Sequence, residues 1–255
     1  MAYTPINNGD TGLTAREAIN EVGTGLDTHA GLSGSGVHSL GTMSTQSASA
    51  VIITGGSVIL QNAKFGTATD NTRFEDDGTL VMSGSATVWT DIFFPLVTAK
   101  QGQTDKPAFD ATEIGYLFPQ NDTGEFMYII AQFPHSRKQG TNLSPHVHWK
   151  QTQSGSPVFK IDYKWFPIGG AVPATFDTLT MSTPAVTYTS GSMHQLTYGA
   201  KISGSMISET GMGVSSVMLI KLYRDSDLYA GNAVVYQFDI HYEIDSIGSH
   251  QEFVK

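Results

Sequence analysis

Cysteine is absent from the 255 residues, which excludes disulfides and thiolate metal sites. Charge is scarce, with Asp, Glu, Lys and Arg at 15% against about 25% in ordinary soluble domains. With 14 Lys and Arg facing 23 Asp and Glu, the formal net charge is -9. Phosphate backbones are gripped by Lys and Arg, so nucleic acid is not an expected partner. No apolar run approaches the roughly 18 residues of a membrane span, and the N-terminus shows no basic-then-apolar leader. Polarity comes instead from Ser, Thr, Asn and Gln, while 27 Gly mark frequent turns and 13 Phe with 10 Tyr can fill a core or meet a sugar.

The shortage of charge is concentrated. From Thr28 to Ala63 there is no Asp, Glu, Lys or Arg, and Gly, Ser, Thr, Ala and small aliphatics dominate. Ordering such a stretch costs roughly 1–2 kcal/mol of backbone entropy per residue. Sister chains or a larger particle are the expected source of the offsetting contacts. Ahead of it, Asp10 and Thr11 can each cap a short helix in which Leu13, Arg16, Ile19 and Val22 recur at helical spacing, with Asn20 beside them and Gly23 as a stop. A helix this short is marginal alone, so its narrow stripe is expected to dock on a partner. Farther on, Val51, Ile52, Ile53 and Val58, Ile59, Leu60 flank Gly55-Gly56, and Phe74 to Met82 bend at Asp77-Gly78. Small hairpins of this kind become stable when copies wrap a common axis.

Beyond Ala86, aromatic density rises and strand alternation becomes clean. Phe159, Ile161, Tyr163 and Trp165 fall on one face, with Lys160, Asp162 and Lys164 on the other. The span Ala233 to Asp245 reads likewise, with Val234, Tyr236, Phe238, Ile240, Tyr242 and Ile244 inward and Gln237, Asp239, His241 and Glu243 outward. Phe126 to Phe133 and Ser216 to Tyr223 are more continuously apolar and read as central strands. Short strands, close turns and no helix pattern after Val22 predict a mainly β chain. The expected layout is an N-terminal helix and linker (1–43), an extended β stem (44–87) and a jelly-roll β-sandwich (88–255).

Several stretches resemble structural proteins of tailed bacteriophages. Asn8-Gly9-Asp10-Thr11-Gly12-Leu13-Thr14-Ala15-Arg16-Glu17-Ala18-Ile19-Asn20 resembles the N-terminal attachment segment of phage fibres, and Met43 to Val58 resembles their stems. Ala86 to Ile92, Ser144-Pro145-His146-Val147-His148-Trp149 and Phe238 to Tyr242 resemble the C-terminal β domains of phage structural proteins. The resemblance implies a virion component, a head-fibre, capsid-decorating or tail-fibre protein. It also implies a homotrimer assembled in the host cytoplasm and attached to other capsid or tail proteins.

Chemistry competes at His146-Val147-His148. Two histidines at i and i+2 of a strand share a face, which suits a metal. The spacing resembles the cupin motif, but the Glu expected a few residues later is missing, since Trp149, Lys150, Gln151, Thr152 and Gln153 follow. His241, flanked by Asp239 and Glu243, can complete the set if its strand neighbours the first. Lys150 shares the histidine face and opposes a cation. Asp76-Asp77 and Asp225-Ser226-Asp227 offer oxygens to calcium but sit in turn-like contexts. A paired-carboxylate glycosidase would draw on Glu113, Asp162, Asp239 or Glu243, which no spacing pairs. Trp89, Trp149 and Trp165 are expected in the core. The reading is a non-enzymatic virion protein with no catalytic residues and no cofactor. A host-surface glycan-binding module and a metal-dependent cupin-like enzyme are the alternatives.

Overall fold

The structure, a computed structural model, describes residues 63–252 except 121, 200, 203–212 and 250. The chain divides into two units, Met1–Ile59 and Leu60–Lys255, and the first lies outside the described residues. Among those described, helix is limited to three-residue 3-10 turns at Gly84–Ala86 and Leu96–Thr98. The strands are β1 (Lys64–Gly66), β2 (Asn71–Phe74), β3 (Leu80–Ser83), β4 (Val88–Pro95), β5 (Lys100–Gln101), β6 (Ala108–Asp110) and β7 (Gly115–Phe118). They continue with β8 (Phe126–Gln132), β9 (Ser144–Gln151), β10 (Phe159–Phe166), β11 (Asp177–Met181), β12 (Met193–Tyr198), β13 (Val217–Arg224) and β14 (Ala233–Ile244).

Two antiparallel sheets carry the fold, one ordered β11-β10-β13-β8-β5 and the other β12-β9-β14-β7-β6, with β4 also paired to β14. The pairings β7 with β14, β8 with β13, β9 with β12 and β10 with β11 are nested. They describe one long hairpin whose arms run 7-8-9-10 and 11-12-13-14. Rolling that hairpin adds the β9–β14 and β10–β13 contacts, which is jelly-roll connectivity. A separate meander, β1-β2-β3, bends at the Asp77-Gly78 turn, where Gly78 has φ 87 and Asp77 Oδ1 accepts the Thr79 N–H.

Alternation explains the core. On β10, Phe159, Ile161, Tyr163 and Trp165 are buried, as their spacing predicts, and on β13 Met218, Ile220 and Leu222 meet them. Phe118 of one sheet packs edge-on against Phe159 of the other, ring centroids 5.9 Å apart. β14 departs from the expected phase. Its register against β9 shifts between Val235 and Gln237, a bulge that reverses the alternation. Ala233 and Val235 are therefore buried together with Phe238, Ile240 and Tyr242, whereas Val234 and Tyr236, expected inward, are only partly buried. Trp149 and Trp165 lie in the core, but Trp89 does not; it is 50% exposed.

Gly115 begins β7 where β14 runs close alongside. A Cβ there would meet Val234 Cγ1 at 2.8 Å and the Val235 carbonyl at 3.1 Å, so only glycine fits without a shift.

Arg224, fully buried at the end of β13, ties the loops of one end together. Its Nε and Nη2 take both oxygens of Asp227, at 2.7 and 2.6 Å. Its Nη1 donates to the carbonyls of Phe118 and Gly231, and Nη2 also to that of Tyr229. Asp227 further accepts the N–H groups of Val158 and Tyr229, while Asp225 holds Lys160 at 2.6 Å. Of the carboxylates considered for calcium, Asp225 and Asp227 are thus paired with basic side chains. Removing one partner of a buried pair leaves the other charge uncompensated. Arg224→Met is expected to cost about 3–5 kcal/mol of stability in urea unfolding. Arg73→Ala, at the surface pair with Glu75, is expected to cost at most about 1 kcal/mol.

Candidate functional site

Residues opposite one another in an antiparallel sheet share a face, so the registers of β4, β14, β9 and β12 define what meets on the outer side of the second sheet. Asp239 stands opposite Phe93 on one side and His146 on the other, and His146 stands opposite Tyr198. One row away, Gln237 stands opposite His148, and His148 opposite Leu196. In the other direction His241 lies between Asp91 and Ser144. The result is a polar centre of His146, Asp239 and His148, extended by His241 with Asp91 and by His194. Phe93, Trp89, Tyr198 and Leu196 rim it, all exposed.

The three histidines singled out by spacing, His146, His148 and His241, are brought together because β14 does neighbour β9. Ring centroids are 4.1 Å apart for His146 and His241 and 5.1 Å for His146 and His148. Asp239 is the hub, 3% exposed. His148 Nε2 donates to its Oδ2 at 3.0 Å. His146 Nε2 is 2.8 Å from Oδ1 but off the line of a good hydrogen bond, so that buried oxygen has no hydrogen-bond partner among the described residues. His148 Nδ1 lies 2.7 Å from His194 Nε2, with the two rings stacked. If His148 donates from Nε2, its Nδ1 accepts from His194 Nε2, giving a hydrogen-bonded chain of two rings that ends on the carboxylate. His241 Nε2 is 2.8 Å from Asp91 Oδ1.

Lys150, expected to oppose a cation at this face, is occupied elsewhere. The β6–β7 turn, in which Asp110 Oδ1 accepts the N–H groups of Thr112 and Glu113, delivers Glu113 to Lys150 Nζ at 2.6 Å. Glu243 leaves the cluster too, accepting from Lys138 at 3.1 Å and from Thr87. Asp162, on β10, belongs to the other sheet and accepts from Thr178 and Tyr223.

Burial opposes the charge on Asp239, but the contacts of His146 and His148 outweigh it and hold the carboxyl at about 2. His146 is likewise pushed down by burial, yet Asp239 prevails and its net shift is upward. His194 and His241 move downward, chiefly through burial and then through neighbouring histidines. His194 and Asp91 were not foreseen, because neither spacing nor composition signals which strands flank β9 and β14. The helix residues Leu13, Arg16, Ile19, Asn20 and Val22 lie outside the described residues, as do the stem residues Val51, Ile52, Ile53, Val58, Ile59 and Leu60.

The depressed carboxyl has a stability consequence with a definite sign. A group held below its unfolded value of 3.8 stabilises the fold above that pH and loses the contribution as pH falls toward 2. The contribution is about 2 kcal/mol. Urea midpoints measured from pH 5 down to pH 2 with chelator present should fall more steeply for the native sequence than for Asp239→Asn, which lacks this titration.

No protein-family model matches the chain, and no curated protein matches it. Among solved structures it is similar to the CBM36-1 domain of a multidomain xylanase from the hindgut metagenome of Trinervitermes trinervoides. That match has 10% identity and a TM-score of 0.31, over 59% of this chain and 96% of that one. It is also similar to the structure of infectious bursal disease virus Gx strain, at 11% identity and a TM-score of 0.32, over 72% of this chain and 42% of that one. Likenesses this distant assign no function.

Proposed function

We propose that the chain is a non-enzymatic structural protein of a tailed-phage virion, held by its N-terminal segment and presenting the sandwich as a homotrimeric head-fibre, capsid-decorating or tail-fibre component. The observation that carries this reading is the amount of large apolar surface left uncovered on a domain whose core is already filled. Phe93 is 63% exposed and Ile130 68%, and Tyr128, Ile130, Phe176 and Leu219 line an open groove of about 390 Å³ on the first sheet. Contiguous apolar surface on a well-packed domain marks places where other chains sit. The uncharged run from Thr28 to Ala63 asks for the same partners. Burial of apolar faces between copies returns roughly 25 cal/mol per Å².

A second reading has one specific observation in its favour. Trp89 and Phe93 lie on one face of β4, with Tyr198 three strands away on the same face, and exposed aromatic rings are platforms on which sugar rings stack. A host-surface glycan is the ligand this would suit.

The full chain is expected to have the mass of three protomers in solution by light scattering; a monomer at micromolar concentration overturns the fibre reading. Leu13→Asp combined with Ile19→Asp is expected to abolish retention on empty capsids or isolated tails while leaving the β circular-dichroism signal intact. Retention unaffected by the pair of changes would place attachment elsewhere. Selective binding on a glycan array, lost with Trp89→Ala, favours the second reading.

A further inference from the structure

We infer that His146, Asp239 and His241 form a binding site for one divalent transition-metal ion per chain, of the zinc class, set on the outer face of the second sheet.

The three residues each offer a donor atom, and these atoms all lie within 4.8 Å of one another. Bonds of about 2.0–2.1 Å to imidazole nitrogen and carboxylate oxygen put tetrahedral donors about 3.4 Å apart. His146 Nε2 and Asp239 Oδ1, at 2.8 Å, need to part by about 0.6 Å to share an ion. His241 is partly exposed, and its ring already stands against that of His146, centroids 4.1 Å apart. All three come from paired strands, so their backbone positions are rigid.

The independent sign of a ligand is Asp239 Oδ1, buried and without a hydrogen bond. Its nearest group, His146 Nε2 at 2.8 Å, does not meet it along a hydrogen-bond direction, and a cation between the two would satisfy both. Outer contacts are also in place. His148 fixes Oδ2 at 3.0 Å, so Oδ1 is the oxygen turned to the ion. The His146 ring has its Nδ1 3.4 Å from the Ser144 carbonyl, and the His241 ring has one nitrogen on Asp91. Imidazole ligands are commonly oriented through their second nitrogen in this way. Lys150, the nearest basic side chain on β9, is neutralised by Glu113.

Two imidazoles and one carboxylate favour zinc-class ions over calcium or magnesium, which take oxygen donors. With three ligands on strands β9 and β14, the ion would clasp two neighbouring strands of the sheet. That role is structural and adds no reaction.

The test uses the full chain stripped with chelator, dialysed and titrated with zinc, with bound metal counted by mass spectrometry after gel filtration. One zinc per chain and a raised thermal midpoint are expected, with calcium giving neither. His241→Ala, at a partly exposed position, should lower zinc affinity at least tenfold without changing the circular-dichroism spectrum. Asp91→Asn, which acts by positioning His241, should lower it about 10–100-fold. No stoichiometric zinc, one ion per three chains, or unchanged affinity in His241→Ala overturns the site. The count per chain is independent of the solution mass, so failure here and failure of the fibre reading are separable.

Discussion

One extra residue in β14 decides what the outer face of the second sheet can be. Strand side chains alternate strictly, so a single-residue shift exchanges every inward group for an outward one. Tyr236 is that shift. N-terminal to it, Val235 points to the core; C-terminal to it, Phe238 and Ile240 do. Without the bulge, the inward register of Ala233 and Val235 would carry Asp239 and His241 into the apolar layer, beside Ile92 and Phe94. With it, the longest strand keeps both halves seated in the core, and Asp239 and His241 emerge on the face where β9 presents His146 and His148.

That face is unusual in its layering. Polar groups normally occupy the exposed rim of a surface patch, with apolar groups at its centre. Here the centre is Asp239 and His146, both nearly inaccessible, while Phe93, Trp89 and Tyr198 stand exposed around them. Burying a carboxylate is costly unless its lone pairs are used. His148 meets one oxygen with good geometry and His146 approaches the other poorly, so the cluster is nearly but not fully satisfied. A half-satisfied buried network is unfavourable on its own. Asp239 and His146 are already closed off from water, and that raises the value of any group that completes the network.

The sandwich was legible in the sequence because its strands are amphipathic in the simplest way. Phe159 to Trp165 alternate without interruption, and the apolar runs ending at Phe133 and Tyr223 sit inside the first sheet as read. The turn at Asp77-Gly78 was equally plain, since its chemistry is local. What failed was information that lives between strands. Alternation alone carries no sign of the Tyr236 bulge, and so it assigns Val234 and Tyr236 to the wrong face. Trp89 reads as a core residue by composition, yet its position opposite Glu243 puts it outside. The same limit hid Asp91 and His194. Their importance comes from pairing with His241 and His148 across strands that are far apart in the chain, and nothing near them in sequence announces it.

The fold solves the problem of buried charge in opposite ways at one end of the sandwich, around Arg224, and on the outer face of the second sheet, around Asp239. Around Arg224, the Asp227 carboxylate and three carbonyls meet the guanidinium, and the two oxygens of Asp227 take backbone N–H groups besides. Every strong donor and acceptor there is used, as expected of a group whose work is to lock loops in place. Around Asp239 the count stops one short, on an oxygen facing two imidazoles. The Arg224 cluster shows that the fold is able to complete such a network. The gap at Asp239, unlike those at Asn71 Oδ1 and Trp149 Nε1, lies among imidazole nitrogens, and it is the one that the proposed ion would fill.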